Sequence, residues 1–448
     1  MQFFYLSWPS AVTNSISWYN ACNLALVVFA RIVAILATMV AASTAVYAQT
    51  MVEAPADFPS VKALSLKHNP GLKAAFHHWQ SQLEQKQVAG SLPDPKLSFD
   101  YFIEEIQTRT GPQEYRLMIA QKLPWFGKLS LASDIAALKA EKAFEDLQVK
   151  RNQLALTVAK LWSQGVSTQY QINIAHEELE LIKQIERIAR VRYRLSKAGH
   201  PDLIRVQLKR GQLENKLDAL TQKRSALSQE LSALTNRNLN PNFSWPAQFS
   251  SSNPSINTQS ALIDSLEKNP SLKALKLTAA MANKRVEQES LKTRPDITLK
   301  YGRMFAGDAI NPAMEDSGKD PQFIGIGINV PLWGEKNAGF SARAHQAKLN
   351  VEQQIARIES SLLATANNHW SQSESLKRQI NRFKTSLIPQ AEAALTALLR
   401  SYQTGKVTFT DLIDSEKTLL ELRRQKIQLE AKHWLTNAEI NALIGEAL

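Results

Sequence analysis

Two stretches of this chain alternate apolar and polar residues and then switch, at a proline–aromatic–glycine joint, to apolar residues three and four apart. In "KLSFDYFI" (96–103), Leu97, Phe99, Tyr101 and Ile103 fall on one face, with Lys96, Ser98 and Asp100 on the other. "EYRLMIAQ" (114–121) groups Tyr115, Leu117 and Ile119 in the same way. Period two with one apolar face predicts a strand. The joint "LPWFGK" (123–128) follows, and then residues 129–197, where positions such as Leu147, Val158, Leu161 and Ile172 keep helical spacing with no proline. The order returns downstream. "DITLKYG" (296–302) and "FIGIGINV" (323–330) alternate, "VPLWGEK" (330–336) is the joint, and 336–401 is helical apart from Pro389.

The recurrence extends to the flanking segments, which marks an internal duplication. "LKHNPGLKA" (66–74) matches "LEKNPSLKA" (266–274), "WSQ" at 162–164 recurs at 370–372, and "AGHPDLI" (198–204) answers "TGKVTFTDLI" (404–413). Each half therefore predicts a helix (59–91, 259–293), two strands, a long helix, a glycine turn and a returning helix (202–237, 408–446). At about 1.5 Å per residue the long helices reach roughly 100 Å, too long for a globular domain and suited to a coiled-coil assembly. The Pro/Asn/Ser-rich stretch 238–258 reads as a linker between a first repeat, 57–237, and a second, 259–448. By these lengths the first returning helix stops at mid-height and helix 259–293 completes the climb. The C-terminal helix is expected to end beside helix 59–91.

Four short amphipathic strands cannot cover both sheet edges, and a closed barrel needs roughly eight strands or more. A barrel shared between subunits removes the edges, turning apolar faces to lipid and polar faces to a lumen. The joints then lie at the membrane boundary. Pro124 and Pro331 end the ladder, Gly127 and Gly334 permit the bend, and Trp125, Phe126 and Trp333 suit an interfacial aromatic belt. The alternative is two ordinary strand–helix turns in soluble domains.

The first residues agree with export. "RIVAILATMVAASTAVYAQT" (31–50) leads from a cation through an apolar run to small residues, a secretory signal ending near Ala48 (1–48). An uncleaved anchor over Ala21–Val46 would hold Arg31 in the bilayer at a cost of about 2.5–3.5 kcal/mol. The single cysteine, Cys22, lies in this segment, so the mature chain would contain none, and its charge would fall from +12 to +11 with Arg31. The basic residues are spread along helices among Glu and Gln, as on solvated faces, so nucleic-acid binding is not expected. The eight histidines are scattered, no His/Cys/Glu spacing fits a metal site, and no phosphate loop or GxSxG occurs. Neither an enzyme nor a cofactor is expected.

The duplicated plan resembles the TolC-like outer-membrane efflux proteins across nearly all of 57–448. The most specific stretch is "RSYQTGKVTFTDLIDSEKTLLELRRQ" (400–425), with Tyr402, Gly405, Asp411 and Asp414 in place. "LPWFGK" is most similar to the branch serving heavy-metal and drug efflux. The resemblance implies a mainly α chain with a membrane β-barrel. Three copies would close twelve strands in the outer membrane above a periplasmic barrel of twelve helices. It also implies a periplasmic adaptor and an inner-membrane, proton-driven pump as partners.

Asp411 and Asp414 are three apart and share a helix face; in a trimer they would ring the periplasmic mouth with six carboxylates, a cation-selective constriction. Their structural alternative is a pair of solvated carboxylates favoured by the helix dipole. The resemblance further implies a closed-state latch at Asp202 and Tyr402, although the arginine expected two residues after the glycine is replaced by Val407, leaving Lys406 or Arg205 as substitutes. It implies adaptor docking at Gly199, Leu203, Gly405 and Leu412. The competing reading is a membrane-anchored periplasmic coiled-coil adaptor, against which two equal hairpins and only four strands argue.

Overall fold

The computed structural model describes residues 57–195, 200–238, 240, 243–250, 256–311, 313 and 315–446, all within one unit, Ala54–Leu448. The expected signal segment and Gly199 lie outside the described residues. The chain opens with α1 (Phe58–His68) and α2 (Pro70–Gly90) and forms a hairpin of β1 (Lys96–Thr108) and β2 (Gly111–Leu123). It continues through α3 (Lys128–Arg194) and α4 (His200–Thr235). After 243–250 come α5 (Gln259–Ser265), α6 (Pro270–Ser290), β3 (Ile297–Ala306) and β4 (Gln322–Ile328). The last helices are α7 (Gly334–Arg382), α8 (Ile388–Gln403) and α9 (Phe409–Leu443).

The helices expected over 59–91 and 259–293 are each broken at an Asn–Pro pair. Pro70 and Pro270 lack an N–H, and their rings clash with the preceding turn. The asparagine before each proline caps the new helix instead: Leu72 N–H donates to Asn69 Oδ1 at 3.1 Å, and Ser271 and Leu272 N–H donate to Asn269 Oδ1 at 2.9 and 3.2 Å. The side-chain amides face the other way. Asn69 Nδ2 donates to the Leu234 carbonyl at 3.1 Å and Asn269 Nδ2 to the Leu443 carbonyl at 2.9 Å. Those carbonyls lie in the last turns of α4 and α9, where no helical N–H remains to serve them. Each returning helix therefore stops against the break in its own half. This corrects the expected end of the C-terminal helix. It does pass α1, with Trp434 edge-on to Phe58 at 4.8 Å, but it finishes at Asn269.

The strands form one antiparallel sheet in the order β1-β2-β3-β4. Leu97 pairs with Ile119, Ile119 with Tyr301, and Tyr301 with Ile324, so one apolar row crosses all four strands. Every member of this row is exposed. Across the sheet, Asp100 and Arg116 form an ion pair at 2.8 Å. The first hairpin runs beyond the alternating stretches 96–103 and 114–121, leaving only Arg109–Thr110 between its strands. A register shift between Tyr101 and Ile106 breaks the alternation while the ladder continues, which hid the strand's true end. β4 ends at Ile328, short of Val330. The sheet leaves β1 and β4 as open edges.

The longest helix, α3, carries 67 residues and presents small residues such as Ala136, Ala140, Ala155, Ala159 and Gly165 to its neighbours, allowing close approach. An aromatic node of Phe58, Trp162, Phe243, Trp245 and Trp434 joins α1, α3, α9 and the segment 243–250. Pro389 is accommodated by a π-helical turn, Phe383–Leu387, just before it.

Candidate functional site

Three features could carry function: the two strand–helix joints, the sheet face, and the turn joining α8 to α9. At the first joint Gly127 has φ 85°, a left-handed conformation that a Cβ disfavours, and it caps α3. The second joint differs. Gly334 is the first residue of α7 with no positive φ, so the bend there needs no glycine, and the expected equivalence of the two glycines does not hold. Pro124 and Pro331 follow the ends of β2 and β4. Phe126 and Trp333 are exposed, as an aromatic belt requires.

A residue not singled out from sequence holds this region together. Asp296, just before β3, accepts the Trp125 N–H at 3.0 Å and Lys128 Nζ at 2.7 Å, and Lys122 Nζ lies at 3.1 Å. Its own N–H donates to Asn329 Oδ1 at 3.3 Å, so one carboxylate ties the first joint to the start of the second hairpin. Burial alone would raise its pKa, but the bonds from Lys128, Trp125 and Lys122 prevail and bring it to about 2. A depressed carboxylate contributes stability above its unfolded value near 3.8, and that contribution is lost as pH falls towards 2. Asp296→Asn is expected to lower stability by about 1–2 kcal/mol at pH 7, the low end for bonds to charged groups because Lys122 is exposed. In thermal melts the variant and the unaltered protein should converge near pH 2; a gap unchanged from pH 7 to pH 2 would refute the ionic role.

Just past α8, Gly405 takes φ 80°, its N–H donating to the Tyr402 carbonyl at 3.1 Å, while Lys406 N–H donates to Ser401 O at 2.9 Å. Thr408 then caps α9 in a reciprocal box: Asp411 N–H donates to Thr408 Oγ1 at 3.2 Å, and Thr408 N–H donates to Asp411 Oδ2 at 3.0 Å. The Thr408 hydroxyl, and secondarily its N–H, hold the Asp411 carboxyl below the usual carboxylate range. Asp411 thus has a structural task, and it stays ionised and exposed in performing it. Asp414, one turn on, is exposed as well.

Tyr402 is buried among Val206, Phe409 and Leu412. Arg192, from the last turn of α3, lies over its ring at 4.7 Å and donates from Nη1 to its carbonyl at 2.9 Å. Burial pushes the Tyr402 hydroxyl up; Arg192 opposes this and the Asp202 charge adds to it, so Asp202 lies within electrostatic reach. The structure therefore brings Tyr402 and an arginine together, with the Asp202 charge felt at the hydroxyl. That arginine is Arg192 of the other hairpin, and Val407 packs against the apolar core. Only the run of basic residues closing α3 hinted at it. Of the docking candidates, Gly405 is exposed, Leu203 half-buried and Leu412 fully buried, so Leu412 shapes the turn from within. Among the described residues no three His, Cys, Asp or Glu side chains converge on a point that could hold a metal ion. None of the described helices is long and apolar enough to cross a membrane.

A sheet with an exposed apolar face set on helices of this length is an architecture that recurs in known proteins. The chain shares the fold of the outer membrane protein VceC of Vibrio cholerae, with a TM-score of 0.72 and 18% identity over 87% of this chain and 96% of that one. It likewise shares the fold of the MtrE outer membrane channel of Neisseria gonorrhoeae in its open state, with a TM-score of 0.72 and 15% identity over 88% and 90%. Among curated sequences it is 21% identical over 393 residues to the cobalt-zinc-cadmium resistance protein CzcC of Cupriavidus metallidurans, covering 87% of this chain and 90% of that protein. The family model "Outer membrane efflux protein" matches residues 261–446. The chain is thus similar to outer-membrane efflux proteins, by the family model over residues 261–446 and by relatives and solved structures over most of its length.

Proposed function

We propose that three copies of this chain form a passive exit duct, the outer-membrane part of a tripartite efflux system. The observation that carries this reading is the sheet, four strands with two open edges and an apolar row facing outward. Open edges are a liability in water and are not tolerated in lipid. Pairing β4 of one copy with β1 of the next closes twelve strands. Within each chain the reading assigns 57–237 and 259–448 to two repeats, 238–258 to the linker and 1–48 to a cleaved signal. Likeness to a cobalt-zinc-cadmium resistance protein favours metal cations, or drugs, as the exported substrates. A periplasmic adaptor would dock at the turns around Gly199, Leu203 and Gly405, with Leu412 supporting them from inside. A proton-driven inner-membrane pump would supply the energy.

The test is the native mass of the protein extracted in mild detergent from outer membranes. A particle of three chains is expected, and a monomer would overturn the duct. In planar bilayers, Asp411 and Asp414 are expected to set cation preference at the mouth. Replacing both with asparagine should cut the cation-to-anion permeability ratio several-fold, with Asp411→Asn alone also weakening the cap of α9. An unchanged ratio would leave the carboxylates with capping alone.

A further inference from the structure

The seam between the hairpins is apolar except at one layer. On α3, buried positions at coiled-coil spacing read Ala175, Glu178, Ile182, Ile185 and Ala189. On α9 they read Phe409, Leu412, Glu416 and Leu419, and on α4 Lys209 lies between the buried Val206 and Leu213. Two glutamates and a lysine thus take core positions on three helices at one level. The Glu178 and Glu416 side chains are 3% and 1% exposed. Lys209 Nζ is 3.0 Å from Glu178 Oε1 and 3.8 Å from Glu416 Oε2, and Lys216 Nζ is 3.8 Å from Glu178 Oε2. Among the described residues neither Glu416 oxygen has a hydrogen-bond donor, nor does Glu178 Oε2.

Two ionised carboxylates in this layer would leave three buried acceptors unserved, which is costly. One proton resolves this. A neutral Glu416 becomes a donor and can give its O–H to Glu178, whose other oxygen still meets Lys209. We propose that Glu178 and Glu416 form a buried proton-binding site that fastens α9 to α3 and α4 when occupied and loosens that contact when the proton leaves. The contact lies within one chain, so the proposal does not depend on the number of chains in the duct.

The sign follows from burial. Desolvation, opposed by Lys209 and reinforced by Glu178, raises Glu416 from 4.5 to about 7. Between those values the packed form holds a proton that the separated form has lost. Each pH unit in that window therefore favours separation by up to about tenfold, with no further change above it. The groups facing Glu416 are Glu178 from α3 and Lys209 and Lys216 from α4, with Arg424 of α9 acting on Lys216.

The experiment is hydrogen–deuterium exchange of the full chain in mild detergent from pH 5 to pH 8, with rates corrected for the intrinsic effect of pH. In peptides covering 409–420, protection is expected to fall between pH 5 and 7 and then level off. Glu416→Gln should abolish this dependence. Glu178→Gln, which supplies an amide donor and removes a charge, should move it to lower pH. A flat profile in the unaltered protein, or an unchanged profile in Glu416→Gln, overturns the proposal. Should Glu416→Gln fail to fold, an unshifted profile in Glu178→Gln does so. A polar layer that only sets helix register would change protection equally at every pH.

Discussion

Replacing Gly165 with alanine is expected to cost about 2–4 kcal/mol, a large loss for one methyl group. A Cβ built at this position would lie 2.1 to 2.4 Å from three ring carbons of Trp245, far inside contact distance. The indole cannot give way easily. It is 2% exposed, it meets Trp162 at 5.5 Å and Phe243 at 4.8 Å, and its Nε1 donates to Ser228 Oγ at 3.3 Å. The ring must therefore leave the node, forfeiting much of what a buried tryptophan contributes, about 3–5 kcal/mol when truncated. Helix propensity returns only about 1 kcal/mol. Gly211 is the matched control: it also lies mid-helix, but a Cβ there meets nothing within 4 Å. Gly211→Ala is expected to stabilise by about 0.5–1 kcal/mol. Thermal unfolding in detergent, with near-ultraviolet circular dichroism to follow the tryptophans, separates the two. If both variants melt higher, Trp245 does not need the bare backbone of α3.

That dependence joins residues 80 apart in sequence, and the same distance marks where sequence reading stopped. Period-two alternation exposed all four strands because one face is apolar throughout, as the row through Leu97, Ile119, Tyr301 and Ile324 shows. It failed beyond Ile103, where the register shift moves later side chains off the pattern. Helical spacing found α3 to within three residues, since nothing in it breaks the ladder. The Asn–Pro pairs were visible as part of the repeat, yet the surrounding periodicity masked the breaks. The turn before α9 was readable from its glycine, Gly405, while the Thr408–Asp411 box emerged only in the structure. Asp296 and Arg192 were not, because their partners are 171 and 210 residues away and no local spacing announces them.

Arg192→Met is the variant expected to alter the channel most, given the duct reading. The guanidinium donates to the last-turn carbonyl of Tyr402 and covers its ring, tying the end of α3 to the end of α8. A bond from a charged donor contributes about 1.5–3 kcal/mol and a cation–π contact at a partly exposed site about 0.5–1 kcal/mol. Arg192 is half-buried, so the lower end applies, about 2 kcal/mol, or roughly thirtyfold in the equilibrium between joined and parted hairpins. Methionine keeps the length and apolar contact of the side chain while removing both interactions. In planar bilayers the variant is expected to spend a larger fraction of time at high conductance. Arg192→Lys should fall between, since an ammonium supplies charge without the planar fork that serves ring and carbonyl together. Lys406→Met, altering an exposed cation beside the same turn, should leave gating unchanged. If Lys406→Met opens the channel and Arg192→Met does not, the hairpins are held by the tip's own cation. Val407 would then mark a lost partner and not one supplied from α3.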